Sequence, residues 1–287
     1  MTILEAIILG IIQGVFMFLP VSSTSHLVIV QHWLISRGSA LPPPESAEMI
    51  LFDLVVHVGT LISIAVVFNK SLSGFLTKLK EDLQKYQVKS DRGREFLYLR
   101  LGALGLFSVF ITGIVGLPLK TYFEQVFAHP AAISATLTVT GILLYVTDIL
   151  GPRKRGLRGI TPGVAAVIGA AQGMALMPGL SRSGMTITFA LLSGLKRRWA
   201  AEYSFFIAFP TILLATAVQV LQVWYLQEPL NTGILQLATG FIVSALVGIA
   251  ALKLVLKLLY RARFRYFSYY VWLLAAAVFV STMRGAL

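Results

Sequence analysis

Two stretches of the chain carry one pattern. Gln13-Gly14 leads through apolar residues to Pro20 and then to Ser22, Ser23, Thr24, Ser25 and His26; Gln172-Gly173 leads through apolar residues to Pro178-Gly179 and then to Ser181, Arg182, Ser183 and Gly184. Each follows an apolar run, so each reads as a helix broken by proline and hydroxyls in an apolar setting. Such a break strands backbone groups and is costly in a membrane unless it lines a polar cavity. Two breaks at corresponding places point to a midplane binding site between related halves.

Composition supplies the setting. Of 287 residues, 57% are hydrophobic and only 13% charged, against roughly 25% charged in soluble domains. Several apolar runs approach the ~20 residues that cross a bilayer. The expectation is an all-α integral membrane protein, a single membrane domain over 1–287 with halves at 1–150 and 151–287. The N-terminal run lacks a basic region and a small-residue cleavage site, so no cleavable leader is expected. The absence of cysteine excludes disulfides and thiolate metal sites. The net charge of +12 sits mostly between apolar spans, which is a topology signal and not a nucleic-acid footprint.

Spans are expected at 50–68, 101–119, 131–150, 203–225, 233–258 and 271–282, with Tyr266 to Tyr270 as interfacial aromatics. Basic residues cluster at 70–100, at Arg153 to Arg158, at Lys196 to Arg198 and at Arg261, Arg263 and Arg265. With those clusters inside, each break lies in a hairpin that enters and leaves on one side, the first from outside and the second from inside. The result is an inverted-topology repeat of about six full transmembrane helices and two re-entrant helical hairpins.

An arginine among apolar residues costs about 2.5–3.5 kcal/mol on insertion scales, so Arg182 calls for an anionic partner. Its planar fork suits phosphate or carboxylate. Ser181 and Ser183, with close backbone approach allowed at Gly179 and Gly184, add donors; Ser22, Ser23, Thr24 and Ser25 form a matching set, and Gln13 is a further candidate for holding phosphate. Pairing with Asp53 or Glu202 is the structural alternative for Arg182. His26 lies one turn beyond Ser22 and Ser23, so a His–Ser nucleophilic pair is possible, or attack by His26 itself. Asp53 and Glu202 sit near the starts of matching spans, where a capping or dipole role accounts for them.

With these residues in place, the chain resembles the undecaprenyl-pyrophosphate phosphatase family, also called bacitracin-resistance proteins. The resemblance rests on Gly14 to His26, on Pro178 to Gly184 and on Glu202-Tyr203-Ser204-Phe205. It implies removal of the terminal phosphate of a polyprenyl diphosphate, recycling the lipid carrier of cell-wall sugars, at a site on the outer face of the bacterial cytoplasmic (inner) membrane. It also implies Ser23 or His26 as nucleophile or base, and Arg182, Ser181 and Ser183 as holders of the diphosphate. A divalent cation, Mg or Ca, is implied as well. The family's first motif has Glu or Gln, three residues, then Glu; here Gln13 fits and the second position is Met17. A thioether is a poor ligand for hard cations. Either Asp53 or Glu202 compensates, or activity is impaired and the chain transports or flips an anionic polyprenyl lipid. An acid-phosphatase-type membrane enzyme is excluded, because the histidine it needs after Ser181-Arg182 is Thr188.

Overall fold

The computed structural model describes residues 1–87, 96–119, 129–149, 153–226, 232–261 and 264–284. The expected connections over 120–130 and 226–232, and Arg263 in its basic cluster, fall wholly or partly outside the described residues.

Among the described residues the chain is helical: α1 (Ile3–Phe16), α2 (Ser23–Ser36), α3 (Ala47–Val67), α4 (Asn69–Gln87), α5 (Leu97–Gly116), α6 (Pro130–Ile149), α7 (Pro162–Met174), α8 (Arg182–Leu192), α9 (Arg197–Leu226), α10 (Ile234–Arg261) and α11 (Arg265–Met283). Six of them (α3, α5, α6, α9, α10 and α11) are long and apolar enough to cross a membrane. The expected hairpins are α1–α2 and α7–α8. Each opens on a threonine cap: Thr2 accepts from the Glu5 amide in a capping box, and Thr161 accepts from the Val164 amide with Pro162 behind it. The charged stretch after α3 begins as the amphipathic helix α4, whose Phe75 packs on Phe206 while Leu76 and Tyr86 stay exposed.

Helix directions follow from named contacts. The Gln236 amide reaches the Met1 carbonyl, Gly10 lies against Gly240 and Gly14 against Gly248, so α1 and α10 run parallel. Phe52 meets Gly240 and Ser63 donates to the Ala245 carbonyl, so α3 joins the same direction. In the other set, Arg100 donates to the Ile160 carbonyl, Ser108 to Ala165 and Thr112 to Gly169, so α5 and α7 run parallel. Tyr203 donates to the Leu104 carbonyl, while Thr211 and Thr112 share the Gln172 amide, which aligns α9 with them. Phe68 at the end of α3 meets Phe205 near the start of α9, with ring centroids 5.8 Å apart, so the triplets are antiparallel. This is the inverted repeat expected from charge placement.

Each hairpin leans on the other half: α1 on α10, and α7 on α5. Close approach requires glycine here. A Cβ on Gly14 would lie 3.0 Å from the Ser244 carbonyl oxygen, and one on Gly169 2.4 Å from that of Ser108. The remaining pair, α6 and α11, is antiparallel: Ser134 donates to the Ala275 carbonyl, and the Arg265 amide to Asp148, which also pairs with Arg197.

Candidate functional site: two helix N-termini and a buried arginine

The breaks meet tip to tip. Ser183 Oγ donates to the Leu19 carbonyl at 3.2 Å, and a Cβ on Gly184 would lie 3.4 Å from the Pro20 carbonyl oxygen. Helix α2 begins at Ser23 and α8 at Arg182. Two helix N-termini therefore converge on one point, and their unpaired amides and dipoles favour an anion there.

In the second break, Ser181 caps α8 by accepting from the Gly184 amide at 3.1 Å. Helix α6 fixes the loop: Thr136 donates to the Pro178 carbonyl at 2.6 Å, and Thr140 donates to that of Gly179 at 2.7 Å while accepting from the Ser181 amide at 3.2 Å. Gly179 holds φ +93°, a left-handed conformation that favours glycine. Arg182 then projects with both terminal guanidinium nitrogens shut off from solvent and without a hydrogen-bond partner among the described residues. The alternative pairings do not occur: Asp53 accepts from Gln31 at 3.2 Å, and Glu202 pairs with Arg198 at 2.8 Å. Buried guanidinium donors left unpaired are costly. An anionic ligand removes that cost.

The first break is built differently. Ser22 stands at φ 67° and offers no side-chain cap to α2; its Oγ lies 3.0 Å from Ser25 Oγ. A non-glycine residue there stores about 1–3 kcal/mol of strain, a feature that gathers at functional sites. Gln13 is fully buried; its Nε2 contacts Met17 Sδ at 3.3 Å and its Oε1 has no partner among the described residues. Ser23, half-buried, points its Oγ at the same sulfur at 3.8 Å, a weak acceptor. Thr24 is half-buried beside it.

His26 does not meet Ser23. Its Nδ1 lies 2.7 Å from the Ser22 carbonyl and its Nε2 2.8 Å from the Tyr270 hydroxyl, with Phe16 stacked on the ring at 3.9 Å. A carbonyl only accepts, so Nδ1 carries the proton; in the neutral ring Nε2 accepts from Tyr270. Both nitrogens are engaged, and the imidazole holds the Ser22 turn in place. Tyr270 was expected only as an interfacial aromatic; no local pattern announces a partner 244 residues away.

The acids are not caps. Ser46 caps α3, with Asp53 two turns inside it, and α9 begins at Arg197, ahead of Glu202. Asp53 precedes Phe68 by about 22 Å of helix, whereas Glu202 sits one turn from the Phe205 that Phe68 touches. One ion cannot bridge both acids. Among the described residues, no group of three or more His, Asp or Glu is placed to hold a metal. At the breaks the oxygen donors are the Gln13 amide and hydroxyls, beside a thioether. Hard cations take about six or more oxygens, usually with carboxylate, so these residues do not by themselves make a divalent site.

The fold and site define a multi-pass α-helical membrane protein with an anion-seeking centre between two opposed re-entrant hairpins. Residues 6–277 match the family described as bacitracin resistance protein BacA, and the chain belongs to that family. It is 61% identical over 273 residues to an undecaprenyl-diphosphatase of Alkalilimnicola ehrlichii, covering 95% of this chain and 94% of that one. It is 57% identical over 273 residues to one of Halorhodospira halophila, with 95% of each covered. A protein of the same name from Carboxydothermus hydrogenoformans is 32% identical over 283 residues, with 98% of each covered.

Proposed function

We propose that this chain hydrolyses undecaprenyl diphosphate to the monophosphate and phosphate at the hairpin tips, as the names of its relatives indicate for them. The observation that carries the reading is Arg182: two buried, unpartnered donors beside two converging helix N-termini. That arrangement fits a diphosphate, whose charge rises at the non-bridging oxygens during transfer. Ser181 and Ser183 extend the donor set from α8, and Ser22, Thr24 and Gln13 from the first break. No observation favours the transporter alternative.

Ser23 is the nucleophile in this reading, because both His26 nitrogens are occupied. A bond forms from Ser23 Oγ to the terminal phosphorus, and the bond to the bridging oxygen breaks with polyprenyl monophosphate leaving. The serine proton passes to a non-bridging phosphate oxygen. Water then cleaves the phosphoserine, releasing phosphate.

The charge pattern supports a site opening toward the outer face of a bacterial cytoplasmic membrane. Arg100 and Arg158 lie at the end where α5 and α7 begin, opposite the end shared by Met1, Glu48 and Thr232.

The test is phosphate release from undecaprenyl diphosphate by the purified protein in detergent, with and without chelator. Release that Ser23→Ala abolishes is expected. No release by the unmodified chain, with undiminished binding of the lipid, would favour the transporter reading. Release abolished by chelator would mean that an ion enters with the substrate.

A further inference from the structure

The inverted repeat sets two seams side by side for comparison. Helix α8 meets α6, and its counterpart α2 meets α11. The first seam is closed, with Thr136 and Thr140 reaching across it to the second break. The second is drawn together at its inner end by Val28 against Val271 and Ala275, and by the His26–Tyr270 hydrogen bond. Beyond that bond it opens into a groove of about 350 Å³.

The groove adjoins the His26–Tyr270 pair, because its walls continue the helical stripes that carry those two residues. On α2 the stripe runs from His26 through Ile29, Val30 and Trp33 to Arg37; on α11 it runs from Tyr270 through Leu274, Ala277 and Val278 to Ser281. These spacings keep each set on one helix face. At 1.5 Å per residue, the groove extends about 16 Å from the imidazole. Its walls are apolar until Ser36, Arg37 and Ser281 at the far end. A second surface groove, between α6 and α11, is lined by Ser134, Thr138, Trp272 and Phe279, on stripes that do not pass through His26 or Tyr270.

We propose that the α2–α11 groove is the binding site for the isoprenoid tail of the lipid whose diphosphate sits at the hairpin tips, with Tyr270 at the junction between headgroup and tail. This rests on the diphosphatase reading. A lipid headgroup held between the tips requires its chain to leave the bundle, and this is the seam whose walls start at the His26–Tyr270 pair. A single methyl-branched chain suits a one-chain slot lined by Ala277 and by the branched side chains of Ile29, Val30, Leu274 and Val278. Bulk phospholipid acyl chains are the competing occupant.

The experiment measures kcat/KM for undecaprenyl diphosphate and for isopentenyl diphosphate, whose short tail ends before Ala277, in the unmodified chain and in Ala277→Trp. The long-chain to short-chain ratio is expected to fall about tenfold, the equivalent of 1.4 kcal/mol. An unchanged ratio overturns the proposal. Photolabelling of the unmodified chain by a diazirine-bearing undecaprenyl diphosphate gives an arm that needs neither the variant nor turnover. Labels within 29–37 or 274–281, competed by unlabelled undecaprenyl diphosphate, support the groove. Labels confined elsewhere, or equal labelling by a diazirine phosphatidylethanolamine that the diphosphate does not compete, overturn it. Failure of both diphosphates to release phosphate would instead count against the diphosphatase reading, leaving the labelling to decide the groove.

Discussion

The two hairpins share one plan and differ in what holds them. Gln172 is tied by two threonine hydroxyls, from α5 and α9, and the second break is bound at three backbone positions by Thr136 and Thr140. Among the described residues Gln13 finds only a thioether, and the first break relies on a left-handed serine, one histidine and the Ser183 hydroxyl on the Leu19 carbonyl. The second hairpin is a fixed platform that presents Arg182. The first carries the strained turn, the uncapped helix start and a hydroxyl held only weakly, by the Met17 sulfur. A platform suits charge that must be aimed beforehand, and a less restrained partner suits the group that moves during bond formation.

Substitutions break or sharpen this contrast. The largest effect is expected from Arg182→Ala, a loss of roughly 10²–10³ in kcat for phosphate release; Arg182→Lys restores part of it if charge and not fit is what matters. If Arg182→Ala keeps full activity, the platform presents nothing. Met17→Glu places a carboxylate where Gln13 Nε2 and Ser23 Oγ converge, and a gain on the order of 10²-fold is expected from an added base. A gain that chelator leaves intact fits a base, and a loss would mean that the first break tolerates no charge. Thr140→Val leaves the Gly179 carbonyl and Ser181 amide unpaired, a cost of about 1–3 kcal/mol, read as a lower unfolding midpoint in detergent. Tyr270→Phe frees His26 Nε2 at a side chain 40% exposed, so a stability loss of about 1 kcal/mol or less is expected. Its clearer readout is a lowered kcat/KM for undecaprenyl diphosphate. Equal stability losses from Thr140→Val and Tyr270→Phe would erase the difference between the seams.

Much of this was legible in residue order. Proline, hydroxyls and a charge inside apolar runs are rare enough to locate both breaks, and the basic clusters oriented them. Arg182 could be named because an isolated membrane arginine demands an explanation. The reading of Asp53 and Glu202 as caps failed because apolar runs mark where hydrophobicity begins, and helices α3 and α9 start earlier on polar residues. Thr136 and Thr140 left a readable trace, two hydroxyls one turn apart in an apolar span, but such pairs usually bond back to their own helix. Tyr270 left none. Its partner is set by how α11 crosses α2, which is a property of packing.

The lean of each hairpin on the opposite half has a consequence for biogenesis. When α7 emerges from the ribosome, its partner α5 has already been made. Helix α1 has no such luck, because α10 begins at Ile234. At about 5–20 residues per second, α1 spends about 10 to 40 s without the surface that Gly10 and Gly14 are shaped to meet. The first hairpin is therefore expected to be the last part of the chain to settle, and truncation before α10 is expected to leave it exposed to membrane quality control.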